Sequence, residues 1–279
     1  MIFDVCFYHG NCVDGTLSAA IAELAFPDIT LIPLYRRDSL LVDESIWKNK
    51  NVLMADFSLT EDIMDELNHG SKNFLLLDHH VSAFKKLGSQ KYAKFNMNLS
   101  GAQMVWAHFF PDKPEPKLLN ICGNSDRGIR LSAEADAVLD YLYQFDLEPH
   151  TWKNLMLEFD AKENEFIEKG FVVQSWKQNV VKNTAATKAF KTVLANEEVW
   201  AINSALFKNE LASLLYTKSK FSIVYYGQDG KFYWSLRSPH GGFDVEKIAA
   251  KNGGGGHKNA AAFVAEYAPI KINEDKFGV

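Results

Sequence analysis

The sequence has few cysteines, no excess of positive charge and no long apolar run. Its three cysteines, Cys6, Cys12 and Cys122, are too few and too irregularly spaced for a disulfide framework or a paired-cysteine zinc site. We therefore expect them to be reduced. The longest purely apolar stretches, such as 74–77, are far shorter than the roughly 20 residues that a transmembrane helix needs, so we expect no insertion into a membrane.

The first residues carry no basic leader and no small-residue cleavage site, so we expect a cytoplasmic protein without a secretory signal. The 30 Lys and Arg residues against 35 Asp and Glu residues give a formal net charge of -5. Non-specific binding along a long nucleic acid requires many phosphate contacts from a basic surface, which this balance disfavours. Any nucleic-acid substrate should therefore be short, although bound metal ions would add positive charge that the residue count omits.

The length and the hydrophobic pattern predict an α/β protein of two domains. A chain of 279 residues exceeds the usual size of one domain. Strand-like runs alternate with helical ones in the first part, which predicts a doubly wound, mostly parallel sheet. The predicted strands are 2–8, 29–35, 52–55 and 74–77, and the predicted helices are 16–26, 61–68, 101–110, 133–145 and 155–181, with Ser100 as a helix cap.

We place the domain boundary near Thr184, so that residues 1–184 form the first domain and 185–279 a smaller α/β domain. The pattern returns to strands after this point, at 199–202, 221–226 and 232–236. Gln228, Asp229 and Gly230 supply the turn chemistry of a hairpin between the last two of these strands.

Three predicted strands are followed at once by side chains that can bind metal ions: His9, then Asp56, then the tripeptide Asp78 to His80. In open α/β sheets, ligands bind in the crevice outside the carboxyl ends of the strands. Residues distant in sequence should therefore converge there. Aspartate and histidine are common in loops, so each residue alone is a weak signal, and the joint pattern is what indicates function.

A site that holds two divalent cations needs several carboxylate and imidazole ligands, with one carboxylate able to bridge both ions. Residues of the right types are His9, Asp14, Asp56, His79 and Asp126. Asp126 has the least local support, because the segment 121–129 could equally be a turn in which Asp126 pairs with Arg127 or caps a helix.

At this point the chain resembles the DHH superfamily of phosphoesterases, and in particular its nanoRNase and bisphosphorylated-adenosine phosphatase branch, which is related to RecJ exonucleases. The resemblance spans nearly the whole chain. The motifs that carry it, in order, are HGNCVDG (9–15), MADFS (54–58), LLLDHH (75–80), NSDRG (124–128), SLRS (235–238) and GGGGHKNAAAF (253–263).

The resemblance implies a hydrolase with two manganese ions and a metal-activated water as nucleophile. His9 and Asp56 would hold one ion, and the second would be held by a larger set that shares Asp56. The implied ligands of that second ion are Asp14, Asp56, His79 and Asp126. Asp78 would orient a histidine, and His80 would face the scissile phosphate.

Cys12 stands where most of the superfamily has an aspartate. A thiolate at this position could bind a metal and favour a softer ion such as zinc. Alternatively, the Asn11 carbonyl oxygen or a water could fill the gap, or Cys12 could simply pack as a small apolar residue.

Four consecutive glycines precede His257, and they indicate either a flexible linker or an ordered turn that brings backbone close to a ligand. The apolar run that follows favours the turn. Its amides could bind an anion. The resemblance implies that a substrate phosphate is held by Arg237, Gly254, Gly255, Gly256 and His257, in a cleft between the two domains.

Together with the negative net charge, the resemblance therefore implies a manganese-dependent phosphodiesterase or exonuclease acting on short oligonucleotides or linear dinucleotides. The same site could instead act on phosphomonoesters such as 3',5'-bisphosphorylated adenosine, or on polyphosphate. A third hypothesis is a nucleotide-binding module in which Cys12 has cost a metal and catalysis. The oligomeric state is open, a homodimer being one option.

Overall fold

The computed structural model describes residues 2–38, 40–272 and 277–278. They belong to two compact units, Met1–Gln174 and Ser175–Val279. Both this division and the boundary predicted near Thr184 fall within one 40-residue helix, α7 (Pro149–Lys188).

The first unit contains a parallel sheet, as predicted. Its strands, in chain order β1 to β5, lie in the spatial order β2-β1-β3-β4-β5, and each neighbouring pair is parallel. They are β1 (Val5–His9), β2 (Thr30–Leu34), β3 (Asn51–Ala55), β4 (Asn73–Asp78) and β5 (Ala93–Phe95). The sequence did not predict β5, because its three residues AKF form no apolar run.

Helices cover both faces of this sheet. Successive side chains of a strand point to opposite faces of the sheet. Cys6 and Leu53 accordingly pack in a hydrophobic core on one face, and their neighbours Phe7 and Met54 pack in a second core on the other face. The sheet is therefore doubly wound. The helices before α7 are α1 (Val13–Ala25), α2 (Glu61–Gly70), α3 (Val81–Leu87), α4 (Gly101–Phe109), α5 (Lys117–Asp126) and α6 (Ala133–Leu142).

Two element boundaries differ from the prediction in ways that matter for the site. Helix α1 begins at Val13 rather than at Thr16, which places Asp14 in its first turn instead of in a loop. This start could not be predicted from the sequence, because the N-cap residue, Cys12, is not of a type that usually caps a helix. Strand β4 runs one residue further than predicted and includes Asp78.

The second unit is a smaller α/β arrangement around a six-stranded mixed sheet. Its strand order is β10-β11-β9-β8-β7-β6, with β7 and β8 parallel and the other neighbours antiparallel. The elements are β6 (Phe190–Leu194), β7 (Glu197–Asn203), α8 (Lys208–Leu215), β8 (Ser222–Gln228), β9 (Lys231–Arg237), α9 (Glu246–Lys251), β10 (Gly255–His257) and β11 (Ala260–Ala265).

The predicted hairpin of this unit is confirmed. Gln228 of β8 pairs with Lys231 of β9, which leaves Asp229 and Gly230 as a two-residue turn. Both turn residues have positive φ, 50° and 74°, as a tight hairpin of this kind requires.

Among the described residues, no helix combines the length and the apolar character needed to cross a membrane.

Candidate metal centre

The predicted metal-binding side chains of the first unit meet outside the carboxyl ends of three neighbouring strands. His9 is the last residue of β1, Asp56 follows β3, and His79 follows β4. Asp14, in the first turn of α1, and Asp126, the last residue of α5, extend to the same place. The convergence at this edge of the sheet, which the positions of these residues after the predicted strands led us to expect, is found in the structure.

Three carboxylates surround one imidazole nitrogen. His79 Nε2 lies 3.2 Å from Asp56 Oδ1, 3.5 Å from Asp126 Oδ2 and 3.7 Å from Asp14 Oδ2. Ligand atoms of Asp14, His79 and Asp126 all lie within 4.8 Å of one another, a spacing that one metal ion can span.

A second group of ligand types faces the other oxygen of Asp56. His9 Nδ1 lies 3.4 Å from Asp56 Oδ2, and Cys12 Sγ lies 3.8 Å from the same oxygen. His9, Cys12 and Asp56 also satisfy the 4.8 Å spacing. The two oxygens of one carboxylate therefore point to two separate groups of ligand atoms, which is the arrangement expected of a residue that bridges two ions.

The backbone around Asp56 is closely packed. Asp56 has a left-handed φ of 57°, which aspartate tolerates better than most residues, and it is only 1% exposed. A Cβ atom on Gly101 would lie 2.4 Å from the Asp56 Cβ atom. Position 101 must therefore be glycine for the Asp56 side chain to keep its place.

Asp14 is held by the N-terminus of α4. Its Oδ1 accepts hydrogen bonds from Ser100 Oγ (2.6 Å) and from the Ala102 amide (3.1 Å), and its Oδ2 accepts one from the Gly101 amide (2.6 Å). Ser100 caps α4 as predicted, in a capping box with Gln103. Its second role, in holding Asp14, was not predicted, because the two residues lie 86 positions apart.

Asp78 is fully buried and contacts His80. Its Oδ1 accepts hydrogen bonds from the amides of His79 (2.7 Å) and His80 (3.1 Å) and contacts His80 Nδ1 at 2.7 Å. Its Oδ2 accepts a hydrogen bond from Ser58 Oγ. Ser58 belongs to one of the sequence motifs but had no predicted role, and local sequence offers no signal for this contact.

The alternatives considered for Asp126 do not describe its position. Residues 117–126 are helical, and Asp126 ends α5 rather than capping its beginning. The Arg127 side chain donates to the Gly123 carbonyl oxygen (3.3 Å) and to Asn124 Oδ1 (2.7 Å). The Asp126 side chain thus faces His79, with 27% of its surface exposed.

The electrostatics of the cluster favour bound positive charge. Burial, together with the nearby charges of Asp56 and Asp126, raises the pKa of Asp14, although its hydrogen bonds oppose the shift. Burial also raises the pKa of Asp126. The neighbouring Asp56 carboxylate, and after it Cys12, raises the pKa of His9 to about 10. Mutually repelling carboxylates with imidazoles between them are the donor set that divalent cations stabilise, so the residues fit a metal centre.

The glycine segment of the second unit is an ordered hairpin rather than a linker, as favoured from sequence. Strand β10 pairs with β11, and a Cβ on Gly254 would lie 2.1 Å from the Ala262 carbonyl oxygen. Ala260 is in register with both His257 and Arg237. Because in-register neighbours project from the same face of a sheet, His257 and Arg237 flank a small residue on one face, with their Cα atoms roughly 10 Å apart.

Comparison with known proteins identifies the fold. No family model matches the chain. An uncharacterized protein of Acanthamoeba polyphaga mimivirus is 29% identical to this chain, and the match covers 92% of the chain. The chain spans only 66% of the length of that relative.

Two solved structures share the architecture over most of both chains. The pGpG-specific phosphodiesterase PggH of Vibrio cholerae is 13% identical, with a TM-score of 0.57, and the match covers 97% of this chain and 94% of PggH. The DHH domain of a member of the s1p family of ribosomal proteins is 15% identical, with a TM-score of 0.58, over 93% of this chain and 82% of that one. At these identities the likeness shows a common fold, and it confirms the two-unit α/β fold that the motifs implied.

Proposed function

We propose that this chain, which has the fold of DHH-domain proteins, is a phosphoesterase of the DHH superfamily that hydrolyses phosphodiester bonds in short oligonucleotides or linear dinucleotides. The observation that carries the proposal is the position of Asp56, whose two oxygens face two separate groups of metal-ligand side chains. A pair of cations joined by one carboxylate is a recurrent device for phosphoester hydrolysis.

In this proposal two ligand sets share Asp56. His9 belongs to one set, with Cys12 beside it, and Asp14, His79 and Asp126 belong to the other. The ion proposed for the carboxylate-rich set is Mn²⁺, which carboxylate ligands suit. When bound, divalent cations would polarise the phosphate and lower the pKa of water at the site. The protein's contribution is to hold these ligands on rigid strand ends and helix termini.

His80 is proposed to contact the scissile phosphate. Its contact with the buried Asp78 carboxylate keeps a proton on Nδ1 and fixes the orientation of the ring. Nε2 is then the ring atom left to face a phosphate oxygen. His80 also lies close to the cluster: one of its ring nitrogens is within 4.8 Å of a carboxylate oxygen of Asp56 and a ring nitrogen of His79. Asp78 acts through His80 and is therefore a positioning residue.

In the second unit, Arg237, His257 and the amides of Gly254, Gly255 and Gly256 are proposed to bind a terminal phosphate of the substrate. The hairpin keeps His257 exposed and places it on the same face of the sheet as Arg237. Arg237 donates to Asn209 Oδ1 at 3.2 Å, which holds its guanidinium near the surface. Guanidinium groups are well suited to phosphate oxygens.

Two observations support a short nucleotide as the substrate. The net charge of -5 disfavours long polyanions. PggH, which has the same fold, is a phosphodiesterase specific for the dinucleotide pGpG. Neither observation depends on the metal cluster, so they bear on the substrate separately from the chemistry.

The test is a substrate panel with chelator-treated protein, with and without added Mn²⁺. The panel contains pGpG, a short oligoribonucleotide, a long RNA, 3',5'-bisphosphorylated adenosine and inorganic polyphosphate, and the products are separated by ion-exchange chromatography. We expect mononucleotides from the first two substrates only when Mn²⁺ is present. Phosphate release from the last two substrates alone would replace the proposal with one of its monoesterase alternatives. A lack of product from every substrate would favour a binding module.

A further inference from the structure

We propose that the two halves of this centre differ in metal preference: His9, Cys12 and Asp56 form a nitrogen, sulfur and oxygen site for a thiophilic ion such as Zn²⁺, while the other half takes a harder ion. The inference rests on the proposed function for the presence of metals and goes beyond it in assigning Cys12 as a thiolate ligand that gives its half of the centre a different metal preference. That role was one of four alternatives that the sequence left open.

The local backbone places the Cys12 side chain at the centre. Strand β1 ends at His9 and helix α1 begins at Val13, so the turn between them has only three residues. Within that turn Asn11 has a left-handed φ of 55°, which asparagine tolerates. The turn returns the chain so that Cys12 lies beside His9 and both side chains approach Asp56.

The side chain of Cys12 does not cap helix α1. It is the N-cap residue of α1, where a serine or aspartate would accept a hydrogen bond from the helix, but its side chain makes no capping hydrogen bond within the described residues. Its Sγ instead faces Asp56 Oδ2 at 3.8 Å, and the residue is only half-buried. The sulfur is therefore within reach of an ion at the cluster.

A second observation points to the same location. His9 Nδ1 is shielded from solvent and has no hydrogen-bond partner in the part of the chain that the structure describes. It lies 3.4 Å from Asp56 Oδ2, the oxygen that Cys12 also faces. A buried polar atom that approaches a carboxylate without a hydrogen bond is poorly compensated unless something else binds it. A metal ion held by the imidazole nitrogen, the sulfur and the carboxylate oxygen would satisfy all three groups.

The chemistry of the two halves differs accordingly. Thiolate and imidazole ligands favour Zn²⁺ and similar soft or borderline ions, whereas carboxylate-rich sites suit Mn²⁺ and Mg²⁺. The His9 and Cys12 half supplies both of the softer ligand types. The other half supplies two carboxylates and one imidazole, from Asp14, Asp126 and His79. Asp56 contacts both halves and does not distinguish them.

The test uses Co²⁺ as a spectroscopic probe of the full chain, because a thiolate bound to Co²⁺ gives a near-ultraviolet charge-transfer band that nitrogen and oxygen ligands do not give. The variants are Cys12→Ser and Cys12→Asp, the second restoring the superfamily's usual residue. Both keep Cys6 and Cys122, which are buried in the hydrophobic core and serve as internal controls. Bound metal is counted by elemental analysis after equilibrium dialysis, and circular dichroism checks the fold.

We expect the band in the wild type and its loss in both variants. We also expect the ratio of Zn²⁺ to Mn²⁺ affinity to fall by at least about 10-fold in Cys12→Asp, because changing even a group behind a ligand typically alters metal affinity by roughly 10- to 100-fold. If wild-type protein binds Co²⁺ without the band, or if the band survives in Cys12→Ser, the thiolate assignment is wrong while the proposed function stands. If the wild type binds none of these ions, the proposed function fails with it.

Discussion

Asp56→Asn is expected to lower the rate of phosphodiester hydrolysis by on the order of a thousandfold while the protein stays folded. The substitution removes the charge that faces both ligand groups, at His79 on one side and at His9 on the other. A bound cation contributes several kcal/mol of transition-state charge stabilisation, and about 1.4 kcal/mol corresponds to a tenfold change in rate. Asparagine matches aspartate in size and tolerates the left-handed φ of this position.

The folded state should persist because the lost attraction to His9 and His79, which lowers the pKa of Asp56 despite its burial, is offset by relief of the repulsion with Asp14 and Asp126. Initial rates on pGpG with Mn²⁺ measure the loss, and urea denaturation measures the stability. Asp62→Asn, on the exposed surface of α2, is the matched control and should keep wild-type activity. Activity in Asp56→Asn within a fewfold of the wild type would remove Asp56 from its bridging role.

The largest expected effect on stability is that of Asp78→Ala. The side chain is 0% exposed, and four groups from Ser58, His79 and His80 contact its two oxygens. Truncation leaves those groups without an acceptor, and breaking a buried ionic contact in this way costs about 3–5 kcal/mol. We therefore expect a much lower urea midpoint, together with a loss of activity because the His80 ring loses its support.

Asp78→Asn separates these two effects. The amide keeps one oxygen for the His79 and His80 contacts, and the Ser58 hydroxyl can accept from its nitrogen. Stability should then fall less than in Asp78→Ala, while the loss of charge still weakens the hold on the His80 ring. Asp112→Ala, at an exposed loop position, controls for removal of a carboxylate. A wild-type urea midpoint for Asp78→Ala would show that this buried network does not stabilise the fold.

The parts of the fold that depend on local patterns could be predicted from sequence. Apolar runs that stop at a polar residue identified β1, β3 and β4. The rule that ligands bind at the carboxyl ends of parallel strands then predicted that His9, Asp56 and His79 lie together. The Asp229 and Gly230 turn was predictable for a similar reason, since few residues accept positive φ. The roles of these site residues remain proposals.

The contacts that support the site could not be predicted, because they join residues distant in sequence that have ordinary local functions. Ser100 has the sequence context of a helix cap, and nothing near it indicates that its hydroxyl holds Asp14. Ser58 has the context of a loop residue, although it contacts the buried Asp78 carboxylate 20 positions away. Gly101 gives no sign of its closeness to Asp56. Such contacts depend on how helices pack on the sheet.

The most direct test of the account is an anomalous-diffraction map from crystals of the full chain soaked in Mn²⁺ and, separately, in Zn²⁺. We expect two metal peaks in contact with Asp56. One peak should also contact Asp14, His79 and Asp126, and the other should also contact His9 and Cys12. The same soaks of Asp56→Asn should lose at least one peak. If neither ion gives a peak at these side chains under the conditions of the activity assay, the cluster is not a metal centre and the proposed chemistry fails.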